Sequence, residues 1–201
     1  MRVGVFGGAF DPVHVGHLLA AQDVREKLAL DRVIFVLSAQ PPHKSCVLPY
    51  EQRRRLLKAA LHGYSGFELS DVEFGQAGLT YTIETLARLR ELHPRDRLFL
   101  MIGADQYRSL NTWKEPTGLM RYAQLVVMNR PGTEAKPGRV PAKLVPVRQI
   151  EVSSTEIRRR IGQSRSVENM VPEASLRLIR RNRLYEKPNQ AGGKHRPKGS
   201  K

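Results

Sequence analysis

Residues 3–21 read VGVFGGAFDPVHVGHLLAA, a stretch that combines a strand, a tight turn and the start of a helix. Val3–Phe6 form a short apolar run, glycines and a proline follow, and Leu18–Ala21 have helical character. His14 and His17 lie at the turn, directly before that helix. Because a helix N-terminus presents unpaired N–H groups and a positive dipole end, the stretch predicts an anion site with two imidazoles.

Zinc binding and core packing are two further possibilities for the histidine pair. Two histidines three residues apart are compatible with zinc, although no third ligand is evident nearby. Packing alone is compatible with the same spacing. The turn is not a dinucleotide fingerprint, since no G-x-G-x-x-G follows the strand, and it has no Walker lysine. Asp11-Pro12 before the pair and Gly16 within it favour a phosphate site.

Length and composition indicate one soluble domain. The chain has 201 residues, enough for one sizeable core, and 40% of them are hydrophobic. No apolar run has the length of a membrane span, and the N-terminus lacks a secretory pattern. The single cysteine, Cys46, excludes an intrachain disulfide and a cysteine-based zinc site. We therefore expect a cytoplasmic protein without a membrane partner.

The net charge is strongly positive, because 34 Lys and Arg face 19 Asp and Glu, giving +15. Such a charge is typical of nucleic-acid binding, but a small anionic substrate would explain it equally well. The end of the chain is rich in lysine and almost free of apolar residues. We expect a folded domain over residues 1–187 and a basic, disordered tail over residues 188–201, with nucleic acid bound only weakly through the tail.

Strand and helix signals alternate along the chain. This alternation predicts a Rossmann-like, doubly wound α/β fold with a mainly parallel sheet and C-terminal helices. The predicted strands are residues 2–6, 32–37, 67–74, 97–102, 125–128 and 144–147. The main predicted helices are residues 17–28, 49–62, 82–92, 155–161 and 172–182, with Ser153 and Glu156 as a capping box for the fourth.

Polar residues cluster after the predicted strands. In open α/β sheets, ligands bind outside the carboxyl ends of the strands. The loops concerned carry His, Lys, Arg, Asp and Ser or Thr, and they comprise residues 7–17, 40–44, 103–105, 130 and 153–158. Their convergence at one edge predicts an anion-binding crevice and hence an enzyme.

Two motifs carry a resemblance to a known superfamily. Residues 8–17, GAFDPVHVGH, resemble the signature of the H-x-G-H nucleotidylyltransferases, and residues 152–158, VSSTEIR, resemble their second motif, I-S-S-T-x-I-R. Shorter motifs between them fall in the order seen in bacterial nicotinate-nucleotide adenylyltransferases: residues 41–44, 81–86, 102–105, 113 and 129–132. The resemblance covers about residues 1–186, each inner motif being weak alone.

The resemblance implies transfer of an adenylyl group from ATP to nicotinate mononucleotide, with Mg²⁺ arriving on the ATP phosphates rather than in a carboxylate cage. His14 and His17 would be catalytic. The residues implied to bind ATP are Gly8, Phe10, His14, Gly16, His17, Ser153, Ser154, Thr155 and Arg158.

The residues implied to bind nicotinate mononucleotide are Gln40, Lys44, Thr82, Asp105, Trp113 and Arg130. Lys44 and Arg130 would hold its phosphate and Asp105 a ribose hydroxyl. Trp113 would stack on the pyridine ring, unless it is a core or interface aromatic. The N–H of Thr82, at a helix start, would receive the carboxylate better than a neutral amide.

Two alternatives stay open from sequence. The same fold could serve another acceptor, such as nicotinamide mononucleotide, phosphopantetheine or a cytidylyl acceptor. The chain could instead be a basic nucleic-acid-binding protein. A homo-oligomer is compatible with either.

Overall fold

A parallel sheet forms the centre of the structure, a computed structural model that describes residues 1–40, 46–76, 78–129 and 140–186. Within these residues the sheet has six strands, all pairing in parallel. They are β1 Arg2–Gly8, β2 Arg32–Leu37, β3 Phe67–Ser70, β4 Arg97–Gly103, β5 Ala123–Asn129 and β6 Lys143–Pro146. The order β3-β2-β1-β4-β5-β6 reverses direction between β1 and β4, which is where doubly wound sheets bind ligands.

Helices connect the strands and follow the last one. They are α1 Val15–Lys27, α2 Tyr50–Leu61, α3 Thr82–Leu92, α4 Ala104–Arg108, α5 Ser154–Gly162 and α6 Glu173–Arg181, with 3₁₀ turns at Leu110–Thr112 and Pro116–Arg121. None of the described helices is long and apolar enough to cross a bilayer.

Apolar side chains on both faces of the sheet pack against the helices. Phe6 of β1 lies in the cluster that packs α1 and α2, whereas Val3 and Val5 lie in the cluster that packs α3. This alternation follows from the two-residue period of a strand. A third cluster joins α2, α5 and α6 through Leu56, Ile157 and other apolar residues. The C-terminal helices are therefore fixed to the body of the fold.

The predicted fold class is confirmed, although several element boundaries differ from the prediction, and three local differences bear on the site. The third strand ends at Ser70, so the prediction that it runs to Phe74 is wrong. Residues 72–75 form a turn, in which the buried Glu73 accepts hydrogen bonds from Ala39 and Thr85. Helix α1 begins two residues earlier than predicted, at Val15. The capping box of α5 is half formed, because Ser153 accepts from the N–H of Glu156, whose carboxylate pairs with Arg159.

Candidate active site

Residues 8–17, which we name the nucleotide-side loop after their predicted role, leave β1 at the carboxyl edge of the sheet and enter α1. His14 is the N-cap of α1 and is buried, with 5% of its surface exposed. His17 lies in the first turn, and the two imidazoles stack with 3.6 Å between ring centroids and an interplanar angle of 26°. The predicted catalytic pair therefore forms one compact unit at a helix N-terminus.

Hydrogen bonding fixes the orientation of the His17 ring. Its Nδ1 accepts from the backbone N–H of His14 at 3.2 Å. A ring nitrogen that accepts from an N–H carries no proton, so the proton of neutral His17 resides on Nε2. The ring also packs edge-on against Phe10, with centroids 5.1 Å apart. His17 thus presents Nε2 as a fixed donor.

Two glycines of this loop allow aromatic rings to pack directly against the backbone. A Cβ on Gly16 would lie 3.1 Å from Nδ1 of His14, and a Cβ on Gly8 would lie 3.0 Å from the ring of Phe10. Phe10 itself is buried, with 3% of its surface exposed, and has a positive φ of 43°. Its ring supports His17, so any contact of Phe10 with ATP would come from its backbone. The ATP-binding role assigned to these residues stays a prediction.

Helix α5 is joined directly to the nucleotide-side loop. Ser154 Oγ donates to the carbonyl of Pro12 at 2.8 Å. Arg158 Nη1 donates to the carbonyl of Asp11 at 2.7 Å, and its Nη2 donates to Oγ1 of Thr155 at 3.3 Å. The two motifs, although distant in sequence, therefore share one edge of the sheet. They place the N-termini of α1 and α5 together with two imidazoles and one guanidinium, an arrangement suited to a polyphosphate.

Ser153 and Thr155, also predicted to bind ATP, lie at the start of α5 and are exposed. Ser153 already accepts the N–H of Glu156 as helix cap. Thr155 has its hydroxyl beside Arg158. The ATP-binding role of these two residues stays a prediction.

Residues 38–40, which we name the acceptor-side segment after their predicted role, leave β2 next to the start of α3. The carbonyl of Gln40 accepts from the N–H of Thr80 at 3.4 Å. Thr82 is the first residue of α3, and its N–H has no partner within the helix. Gln40 therefore contacts the residues that precede α3, and the binding of the acceptor by Gln40 and Thr82 stays a prediction.

Trp113 is also brought close to the start of α3. The neighbouring Lys114 donates to Glu84 of the first turn at 2.6 Å and lies 4.7 Å from the ring centroid of Tyr81. The hydrogen bond to Glu84 raises the pKa of Lys114. Trp113 is half-buried against the apolar cluster that packs α3, so part of the residue contacts the core while the rest stays accessible.

The other predicted acceptor residues are less informative. Asp105 is exposed in α4, where its carboxylate forms an ion pair with Arg108. A ribose hydroxyl would have to share that carboxylate with the guanidinium. Lys44 and Arg130 lie outside the described residues.

Two buried carboxylates beneath the site have partners that sequence reasoning did not identify. Glu73 accepts from the N–H of Ala39 at 3.0 Å and from the hydroxyl of Thr85 at 2.6 Å, which joins the acceptor-side segment to α3. Asp11, with 4% of its surface exposed, accepts from Tyr185, and burial together with this bond raises the pKa of Tyr185. Glu73 belongs to no motif, and the position of Asp11 within the first motif does not indicate its distant partner.

Comparison with known proteins agrees with this geometry. The model of the family described as cytidylyltransferase-like matches residues 5–160. A protein of Thermus thermophilus named "Probable nicotinate-nucleotide adenylyltransferase" is 45% identical over 185 residues, which cover 92% of this chain and 100% of that protein. This chain belongs to the nicotinate-nucleotide adenylyltransferase family. A family member of the same name from Rubrobacter xylanophilus is 38% identical, with 92% of each chain covered.

Solved structures support the fold of this family member. A Plasmodium falciparum nicotinic acid mononucleotide adenylyltransferase complexed with NaAD superimposes with a TM-score of 0.75 at 18% identity, covering 92% of this chain and 97% of that one. The same fold is found in a Vibrio parahaemolyticus protein described as a "Putative Nicotinate-nucleotide Adenylyltransferase", with a TM-score of 0.71 at 19% identity, covering 94% of this chain and 98% of that one. The family membership implied by the two motifs is confirmed.

Proposed function

We propose that this protein transfers the adenylyl group of ATP to nicotinate mononucleotide, giving nicotinate adenine dinucleotide and pyrophosphate. A phosphate oxygen of the mononucleotide attacks the α-phosphorus of ATP in line. The new P–O bond forms as the bond from the α-phosphorus to the bridging oxygen breaks, and pyrophosphate leaves with that electron pair. No covalent enzyme intermediate is needed, so catalysis consists of positioning and charge stabilisation.

The observation that carries the proposal is the junction of the two motifs. Ser154 and Arg158 donate hydrogen bonds to Pro12 and Asp11, which places the start of α5 beside the stacked histidines. An extended triphosphate fits such a pair of helix N-termini because both present N–H groups to its oxygens. In this proposal, His14 and His17 stabilise charge that develops during transfer.

The acceptor side favours an acid over an amide. The start of α3 offers N–H groups and the positive end of a helix dipole, and a carboxylate gains more from both than a neutral amide does. Trp113 supplies a partly accessible aromatic surface for the pyridine ring. This arrangement supports nicotinate mononucleotide as acceptor.

Magnesium enters this proposal as part of the nucleotide substrate. Among the residues that the structure describes, no three His, Cys, Asp or Glu side chains lie close enough to hold a metal ion. Mg²⁺ keeps several waters and is commonly bound through substrate phosphates. It supplies charge neutralisation on those phosphates when bound.

The test is pyrophosphate release with a panel of substrates. Purified protein is given ATP or CTP with nicotinate mononucleotide, nicotinamide mononucleotide or phosphopantetheine, and products are identified by mass spectrometry. We expect the highest kcat/KM for ATP with nicotinate mononucleotide. A preference for another acceptor, or for CTP, would contradict the proposal while leaving the nucleotidyl-transfer chemistry in place.

A further inference from the structure

Arg53 of α2 is buried, with 1% of its surface exposed, and donates hydrogen bonds to four main-chain carbonyls. Nη1 donates to Ala9 at 2.7 Å and to Ser38 at 3.0 Å. Nη2 donates to Ala39 at 3.3 Å, and Nε donates to Leu48 at 3.1 Å. One side chain thereby joins the loop after β1, the segment after β2 and the residues before α2.

Burial of this guanidinium is energetically costly. A charged group removed from water loses hydration that only good hydrogen bonds or an opposite charge offset. In the described part of the chain, no carboxylate lies within salt-bridge distance of Arg53, and the ring centroid of Tyr50 lies 5.6 Å from its guanidinium carbon. An apolar side chain of similar size would fill the space at lower cost. The carbonyls of the two loops are therefore the feature that requires an arginine.

The carbonyls that Arg53 holds belong to opposite halves of the site. Ala9 lies in the nucleotide-side loop, between Gly8 and Phe10. Ala39 lies in the acceptor-side segment, and its own N–H is held by Glu73. Arg53 therefore contacts the backbone that carries the proposed ATP site and the backbone that precedes the proposed acceptor site.

Asp11 makes a second link between the nucleotide-side loop and the residues before α2. Its Oδ2 accepts from the N–H of Val47 at 2.6 Å, next to the Leu48 carbonyl held by Arg53. Its Oδ1 accepts from the hydroxyl of Tyr185 at 2.7 Å. The nucleotide-side loop is thus tied to the residues before α2 by both side chains.

We propose that Arg53 is a positioning residue for the transfer reaction, which fixes the separation between the nucleotide-side loop and the acceptor-side segment. This inference rests on the proposed function, because in-line attack requires the acceptor phosphate and the α-phosphate to meet at a defined distance. Arg53 touches neither substrate. It acts through the backbone of Ala9, Ser38 and Ala39.

The test compares Arg53→Lys and Arg53→Gln with the wild type, and uses Arg55→Lys as the matched control. Arg55 lies two residues away on the same helix, and its side chain is 72% exposed. Lysine keeps the charge but lacks the planar fork that reaches several carbonyls at once. Dissociation constants for ATP alone and for nicotinate mononucleotide alone are measured by calorimetry, kcat by pyrophosphate release, and exchange of the Ser38 amide proton by NMR.

For Arg53→Lys we expect kcat to fall on the order of 10²-fold, while each substrate alone binds within about threefold of wild type. The Ser38 amide, which donates to the carbonyl of Gly8, should exchange faster. Arg55→Lys should match the wild type in all three measurements.

An unchanged kcat in Arg53→Lys would overturn the proposal, as would a loss of activity explained by weaker binding of each substrate alone. Failure of both Arg53 variants to fold would also overturn it, because Arg53 would then serve stability. An inactive wild-type protein would contradict the proposed function instead, and the exchange rate of Ser38 would still report whether Arg53 holds the loops.

Discussion

The guanidinium of Arg158 donates a hydrogen bond to the carbonyl of Asp11 at 2.7 Å, across 147 positions of sequence. The same side chain reaches Oγ1 of Thr155 at the start of α5. Arg158 therefore has two functions in this geometry: it holds the nucleotide-side loop against α5, and it places positive charge beside the proposed phosphate site.

Arg158→Lys should lower kcat/KM for ATP by about tenfold to a hundredfold, since hydrogen bonds to charged groups contribute about 1.5–3 kcal/mol. Lysine keeps the charge but lacks the planar guanidinium, so it cannot donate to the carbonyl of Asp11 and to a phosphate in the same geometry. Steady-state kinetics with ATP varied provide the measurement. Arg159→Lys is the control, because Arg159 pairs with Glu156 on the exposed side of the helix. Equal kinetics for the two variants would contradict the role of Arg158.

The two nitrogens of His17 have separate roles that two substitutions distinguish. Asparagine places an acceptor near Nδ1 and so retains the bond from the N–H of His14, whereas glutamine places a donor near Nε2. We expect His17→Asn to lower kcat by about 10²–10³, the cost of removing one preorganised donor in other enzymes. His17→Gln should retain more activity but have a lower Tm. The opposite order of kcat would assign catalysis to Nδ1.

Gly16→Ala tests the packing of the His14 ring. The added Cβ would lie 3.1 Å from Nδ1 and 3.2 Å from Cε1, so the ring must shift by a few tenths of an ångström. Because a misplacement of about 1 Å costs about 10² in rate, we expect a loss of about tenfold in kcat. Gly16 lies in the first turn of α1, and alanine is a better helix former than glycine, so Tm should not fall with kcat. A variant with wild-type kcat would show that the ring position is not critical.

Sequence periodicity predicted the alternation of strands and helices but not the order of the strands. The run Arg32–Leu37 is apolar after its first residue, as expected for a strand covered on both faces, and it forms β2 with the predicted bounds. Nothing within Arg97–Gly103 indicates that this strand returns to pair with β1. Pairing depends on contacts between distant segments, which local patterns do not encode.

Site residues that belong to motifs were predictable from the sequence. Buried residues that hold the site loops in place, such as Arg53 and Glu73, were not identified. His17 and Ser154 were identified from their motifs and lie at the predicted edge. Arg53 was overlooked although Leu56, Leu57 and Ala60 follow it at helical spacing, which places it on the apolar face of α2. An arginine on such a face is a usable signal. The buried carboxylate of Glu73 has no comparable signal, because the turn that contains it was interpreted as strand.

Tyr185 should make the protein sensitive to alkaline pH. Burial, the bond to Asp11 and the charge of that carboxylate raise the pKa of Tyr185, and burial raises the pKa of Tyr50 to about 12. In the unfolded chain tyrosine ionises at about pH 10. The stabilisation from both neutral phenols is therefore complete below about pH 10 and is lost as the pH rises above it.

Tyr185→Phe should lower stability by about 1 kcal/mol at about pH 8, because the hydrogen bond to Asp11 is lost, and should reduce the further decline above about pH 10. Tm measured between about pH 8 and 11.5 provides the comparison. Tyr64→Phe is the control, because Tyr64 is 43% exposed. The Tm of this variant should follow the wild-type dependence on pH. If wild type and Tyr185→Phe lost stability in parallel above about pH 10, ionisation of Tyr185 would not contribute. Its link to Asp11 would then concern only the geometry of the nucleotide-side loop.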